Sequence, residues 1–139
     1  MPVLDTEVLF ALNPRDRHHK RALKRLAELR QNALPLYAPD TAILEFQTVL
    51  RSVDKRPHVI REAMLGLLRA LQINRVAETF TLNSELVARQ CEIEERYDLT
   101  FFDSLIAAST FRLDSILVSD DRSFDKLPGM KRTRLSEEF

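Results

Sequence analysis

Apolar residues fall along the chain in two patterns, short continuous runs and longer stretches where they recur every three or four positions. The short runs are 3–4 (VL), 36–38 (LYA, between Pro35 and Pro39) and 115–118 (SILV). They are too brief for helices and read as buried strands. Residues 73–76 and 132–135 are weaker strand candidates.

The longer stretches predict helices. One covers 6–12; a second covers 16–32, capped by Asp16, with Leu23, Leu26, Ala27 and Arg30 on its buried face. A third starts at Asp40 or Thr41 and runs to 53, and a fourth has Pro57 in its first turn and continues through MLGLLRALQ. Residues 84–96 are rich in helix formers such as Leu86, Ala88, Gln90 and Glu92. Thr100 and Asp103 have the spacing of a capping box and open an apolar helix to 111. Strands separated by helices imply right-handed crossovers. The expected fold is α/β, with a mainly parallel, short-stranded sheet covered on both faces.

Composition narrows the class. Only Gly66 and Gly129 interrupt the chain as glycines, and there is no Ser/Gly-rich linker or fixed-period repeat, so residues 1–139 are expected to form one domain. The lone cysteine, Cys91, has no disulfide partner and is expected to be a small buried side chain in a reducing setting. Residues 1–20 place apolar residues before basic ones and reach Asp5 and Glu7 early, unlike a signal peptide. No window approaches the roughly 18 apolar residues of a membrane span. A cytoplasmic protein is expected.

The charge balance excludes an overall basic field, because 21 basic residues meet 21 acidic ones. Any nucleic-acid contact must be local. Arg15, Arg17 and Lys20 in one basic segment, and Lys131 and Arg132 in another, are the candidates.

Acids appear where apolar runs stop. Asp5 ends the first strand and Asp121 follows the fourth, while Glu45 and Asp103 lie in early turns of helices. In an open parallel sheet the ligand site lies beyond the carboxyl ends of the strands, so these four can converge. Taken singly, each has an ordinary role as a cap, turn or surface residue. Asp5 and Asp103 sit among apolar neighbours, where a carboxylate without a task is uncommon. Gathered carboxylates repel unless cations compensate, and oxygen-only ligands select Mg²⁺ or Mn²⁺. One or two such ions suit phosphodiester hydrolysis.

Four blocks carry a resemblance: VLDTEVL at 3–9, APDTAILEF at 38–46, LTFFDSLIAA at 99–108 and ILVSDDRSFDKLPGM at 116–130. In order and spacing they resemble the acidic blocks of PIN domains, across the whole chain. The resemblance implies a PIN-like three-layer α/β/α sandwich and a Mg²⁺- or Mn²⁺-dependent endoribonuclease, most often the toxin of a VapBC-type toxin–antitoxin pair. It places Asp5, Glu45 and Asp103 on the first three family acids and Asp121 on the fourth, with Asp120 as its close substitute and Ser119 as a supporting hydroxyl. It also implies an RNA substrate, a homodimer and a small antitoxin protein, for which helices 57–71 and 17–32 offer apolar surface. Two positions depart from the family: Glu7 stands where Asn or Ser is usual, making it a candidate outer ligand, and Ser123 stands where aspartate is common.

Other chemistries are less well served. His18 and His19 lie in a basic stretch away from the acidic blocks, and His58 follows Pro57 on a helix surface. A haloacid-dehalogenase-type phosphotransferase needs an aspartate at position 7, where Glu7 stands. The alternative of a different class is a PIN-like RNA-processing or RNA-binding scaffold with little or no nuclease activity.

Overall fold

The computed structural model describes residues 1–32 and 35–135. Five short strands alternate with helices: β1 (Val3–Leu4), β2 (Leu36–Pro39), β3 (Val76–Thr79), β4 (Ile116–Val118) and β5 (Lys131–Thr133). The helices are α1 (Thr6–Ala11), α2 (His19–Gln31), α3 (Asp40–Val53), α4 (Pro57–Ile73), α5 (Ser84–Tyr97) and α6 (Phe101–Leu113), with a 3₁₀ turn at Arg122–Lys126. The sheet order is β3-β2-β1-β4-β5, and every pairing is parallel.

That order makes β1 the centre. The chain moves from β1 to β2 and β3 on one side, then crosses to β4 and β5 on the other. The crevice between β1 and β4 is therefore the point where the winding reverses, and the carboxyl ends of these two strands flank it. Val3 pairs with Leu117 and Leu4 with Val118, which sets Asp5 and Ser119 level.

The three central strands carry the buried sheet residues: Val3, Leu4, Leu36, Ala38, Leu117 and Val118 are all fully inaccessible. Helices supply the covering layers, as in the PIN-like α/β/α sandwich. Helix α6 is enclosed nearly all round, with every residue from Ser104 to Thr110 buried. Its polar members are satisfied locally: Ser104 Oγ donates to Thr100 O at 2.8 Å, and Thr110 Oγ1 donates to Ile106 O at 2.7 Å. Ser109 Oγ meets the hydroxyls of Thr41 at 2.7 Å and Thr81 at 2.8 Å.

Several boundaries differ from expectation, each for a local reason. Helix α2 begins at His19 because Asp16 Oδ1 accepts the His18 N–H at 2.8 Å in a turn ahead of it. Its buried residues are Ala22, Arg25 and Leu26, so the inward face is rotated from the one expected. Strand β3 starts later than expected, since α4 continues through Ile73 and Arg75 turns the chain with φ 56°. Strand β5 ends at Thr133. Cys91, expected inside, is exposed, and its thiol donates to Gln90 Oε1 at 3.4 Å. Among the described residues no helix is long and apolar enough to cross a membrane.

Candidate active site

Asp5 is the most deeply buried acid of the crevice. It leaves β1 in an extended conformation and N-caps α1, with Oδ1 accepting the Thr6 N–H at 2.8 Å. Its Oδ2 accepts the Ser119 hydroxyl at 2.6 Å, and its own N–H donates to Val118 O at 3.1 Å. Only 6% of the residue is exposed. Burial raises its pKa from 3.8 to about 7; the Ser119 hydrogen bond opposes this, while the charges of Glu7 and Asp103 add to it.

Asp103 stands in the first turn of α6, where Thr100 caps the helix by accepting the Asp103 N–H at 3.2 Å. Its carboxyl is also held above the ordinary range, first by desolvation, then by the charge of Asp121, with Glu45 and Glu7 contributing. Thr100 pulls the other way. Glu45 projects from α3 and is half-buried. Asp5, Glu7, Glu45, Asp103 and Asp121 thus act on one another in a single electrostatic neighbourhood.

The two acids after β4 have different tasks. Asp120 Oδ1 accepts the Leu135 N–H at 2.8 Å, which turns this carboxylate toward the end of β5. Asp121 caps the 3₁₀ turn, Oδ1 accepting the Ser123 N–H at 2.9 Å and the Ser123 hydroxyl at 2.7 Å. The charge of Asp121 reaches Asp103. Position 123, where the family commonly has aspartate, here carries the hydroxyl that orients Asp121.

A second polar assembly fixes the helices that carry Glu45 and Asp103. Asp40 at the start of α3 accepts the Thr81 N–H at 3.0 Å, the Leu82 N–H at 2.9 Å and the Thr81 hydroxyl at 2.7 Å. Thr81 and Thr41 in turn meet Ser109 of α6. The loop after β3, the start of α3 and the middle of α6 are thereby joined through buried hydrogen bonds.

The basic candidates are scattered. Arg15, Arg17 and Lys20 are exposed around the segment between α1 and α2. Lys131 opens β5 opposite Ile116, at the amino end of the sheet and away from the acids. Arg132 grips Asp125 bidentately at 2.9 Å, and its Nη1 donates to Ser119 O at 3.1 Å. It braces the turn after β4. His19 is engaged with Ala11 O at 2.9 Å, and His58 is exposed.

The donor set suits a hard divalent cation. All five side chains offer carboxylate oxygen, and their mutual repulsion is the condition that such an ion relieves. Thr6, not singled out from the sequence, adds a buried hydroxyl with no hydrogen-bond partner among the described residues. Its signal was a threonine directly after a strand-ending aspartate. Among the described residues no group of three or more His, Cys, Asp or Glu side chains stands where it could hold a metal ion together.

Comparison with known proteins agrees with this architecture. A family model described as the PIN domain matches residues 3–130. No curated protein sequence matches the chain. Among solved structures, a chain of VapBC2 from Rickettsia felis, bound to a DNA fragment from its promoter, superposes with TM-score 0.70 at 16% identity, covering 96% of this chain and 97% of that one. VapC20 of Mycobacterium tuberculosis, a Sarcin-Ricin loop cleaving toxin, gives 0.64 at 18% identity over 90% and 93%. A toxin–antitoxin complex from Klebsiella pneumoniae gives 0.64 at 17% over 99% and 100%. At such identities the likeness is one of fold.

Proposed function

The chain belongs to the PIN domain family, and from that premise we propose that it is a divalent-metal-dependent endoribonuclease, the toxin component of a VapBC-type pair, acting in the cytoplasm as one domain. The observation that supports this reading is the charge coupling of Asp103 to Asp5, Glu45 and Asp121 near the reversal point of the sheet, with Asp5 and Asp103 already resisting ionisation. These four residues are the proposed catalytic and metal-binding set, for one or two Mg²⁺ or Mn²⁺ ions. A bound ion supplies an activated water and neutralises charge on the leaving oxygen.

The protein's own groups have distinct parts in this scheme. Asp5 is held by Ser119 and the Thr6 N–H, so its carboxylate has a fixed bearing. Asp103 is fixed by an enclosed helix, and Asp121 by its cap on the 3₁₀ turn. Arg15, Arg17 and Lys20 are proposed to meet RNA phosphates as exposed cations. The contacts of Arg132 favour a framework role over RNA contact, and Lys131 lies at the amino end of the sheet. The test is a mixed pool of single-stranded RNA incubated with the purified chain. Cleavage with Mn²⁺ and none with EDTA is expected; metal-dependent RNA binding without cleavage would make the protein a scaffold.

A toxin needs an inhibitor, and α1, α3 and α4 form a place for one. Leu9, Phe10, Phe46, Leu50 and Leu67 line an apolar cleft of about 300 Å³, beside which Gly66 leaves open space where a Cβ would go. An apolar helix of a small antitoxin fits this cleft. Gly66→Leu is expected to keep or raise stability, because leucine favours a helix over glycine by roughly 0.8 kcal/mol. It should also weaken co-purification with a small antitoxin expressed from an adjacent reading frame. Unchanged capture would move the antitoxin elsewhere. Self-association is proposed as well, supported by Ile73 and Phe80 standing 80% and 92% exposed.

A further inference from the structure

Glu7 is one acid more than a four-carboxylate centre requires, and its hydrogen bonds set it apart. It stands in the first turn of α1 with its side chain open to solvent. Its Oε1 accepts two hydrogen bonds from the end of β4: the Ser119 hydroxyl at 3.1 Å and the backbone N–H of Asp120. The Ser119 proton is shared with Asp5 Oδ2 at 2.6 Å, while Ser119 Oγ accepts the Asp121 N–H at 3.0 Å. One oxygen of Glu7 therefore closes a bridge between the start of α1 and the turn that carries Asp121.

We propose that Glu7 is a positioning residue, a strut that sets the separation of Asp5 and Asp121, and not a fifth metal-binding carboxylate. The inference rests on the nuclease reading above. The opposite flank of the turn is already held from β5, by Ser119 N–H to Thr133 O at 3.0 Å, Arg132 to Ser119 O, and Leu135 N–H to Asp120. Glu7 supplies the matching restraint from α1. An ionised acceptor suits this work, because hydrogen bonds to a charged partner are about twice as strong as neutral ones. Asn or Ser, usual at this position in the family, has a shorter side chain than the one that reaches the Asp120 N–H here.

Glu7→Gln keeps the accepting oxygen and removes the charge; Glu7→Ala removes both. Mn²⁺ affinity is measured by calorimetry on the full chain, and exchange of the Asp120 and Asp121 amides by NMR in EDTA. The strut predicts that Gln retains wild-type affinity within an order of magnitude and keeps both amides protected. Ala should weaken Mn²⁺ binding by about 10- to 100-fold, the usual effect of losing a residue that supports a ligand, and speed exchange at both amides. Equal loss of affinity in the two variants, with the amides still protected in Gln, would assign Glu7 to the ion and overturn the strut. An Ala variant identical to wild type would also overturn it. A wild-type chain without Mn²⁺ affinity would instead sink the nuclease reading, and the amide exchange would still decide whether the bridge exists.

Discussion

Replacing Asp103 by asparagine is expected to abolish Mn²⁺-dependent RNA cleavage while leaving the fold intact. The substitution removes one negative charge without changing volume. It also preserves the backbone N–H that Thr100 Oγ1 accepts at the start of α6. Groups that merely support a metal ligand cost about 10- to 100-fold when lost, so removal of a ligand should exceed about 100-fold. Metal-free stability should not fall, since Asp103 is already held above its ordinary pKa by burial and by the charges of Asp121, Glu45 and Glu7. Single-turnover cleavage by wild type and variant, with melting curves in EDTA, gives both readouts. Equal cleavage by the two proteins would show that the acids described here are not the active centre.

The second large effect is on stability as pH changes. Burial raises Asp5 from 3.8 to about 7 in the folded protein. Between those values the folded state keeps a proton that the unfolded chain has lost, so this group makes stability fall as pH rises. The penalty is complete above pH 7. A difference of about 3 units corresponds to roughly 4 kcal/mol at 1.36 kcal/mol per unit. Asp103 acts in the same direction. Asp54 and Asp125, whose pKa values are lowered by Arg56 and Arg132, act in the opposite one.

The informative quantity is therefore the difference between wild type and Asp5→Asn. In EDTA the variant should gain on wild type from pH 4 to 8 by an amount approaching that figure; the loss of one acceptor for Ser119 or Thr6 lowers the variant equally at both ends and cancels from the gain. Urea titrations across this range measure it. Mn²⁺ should stabilise wild type more at pH 8 than at pH 5, and this dependence should shrink in the variant. A difference that stays constant with pH would refute the assignment of Asp5 as a buried, reluctantly charged acid.

Much of the fold was legible because its central strands are largely buried and read as uninterrupted apolar runs. Val3-Leu4 and Ile116 to Val118 show this directly. Strand β3 was harder, since Ala77 and Glu78 are exposed at the sheet edge and the preceding turn depends on a left-handed Arg75. The acids at strand ends could be located, but Asp120 and Asp121 are adjacent in a turn, where sequence spacing carries little directional information. The Leu135 N–H that Asp120 accepts belongs to a partner distant in the chain. Lys131 was hard to place for a similar reason: its charge is plain, whereas its place at the amino end of β5 depends on the parallel pairing with β4.

The enclosure of α6 has a consequence for how repulsion is expressed. A surface helix carrying a crowded acid can tilt or fray until the charges separate. Helix α6 has no open side between Ser104 and Thr110, so such yielding would uncover Leu105, Ile106 and the polar contacts of Ser109 together. Asp103 stands in the turn directly ahead of that enclosed segment, so its position is tied to the core, and whatever neutralises the acids would be felt as added stability of the core itself.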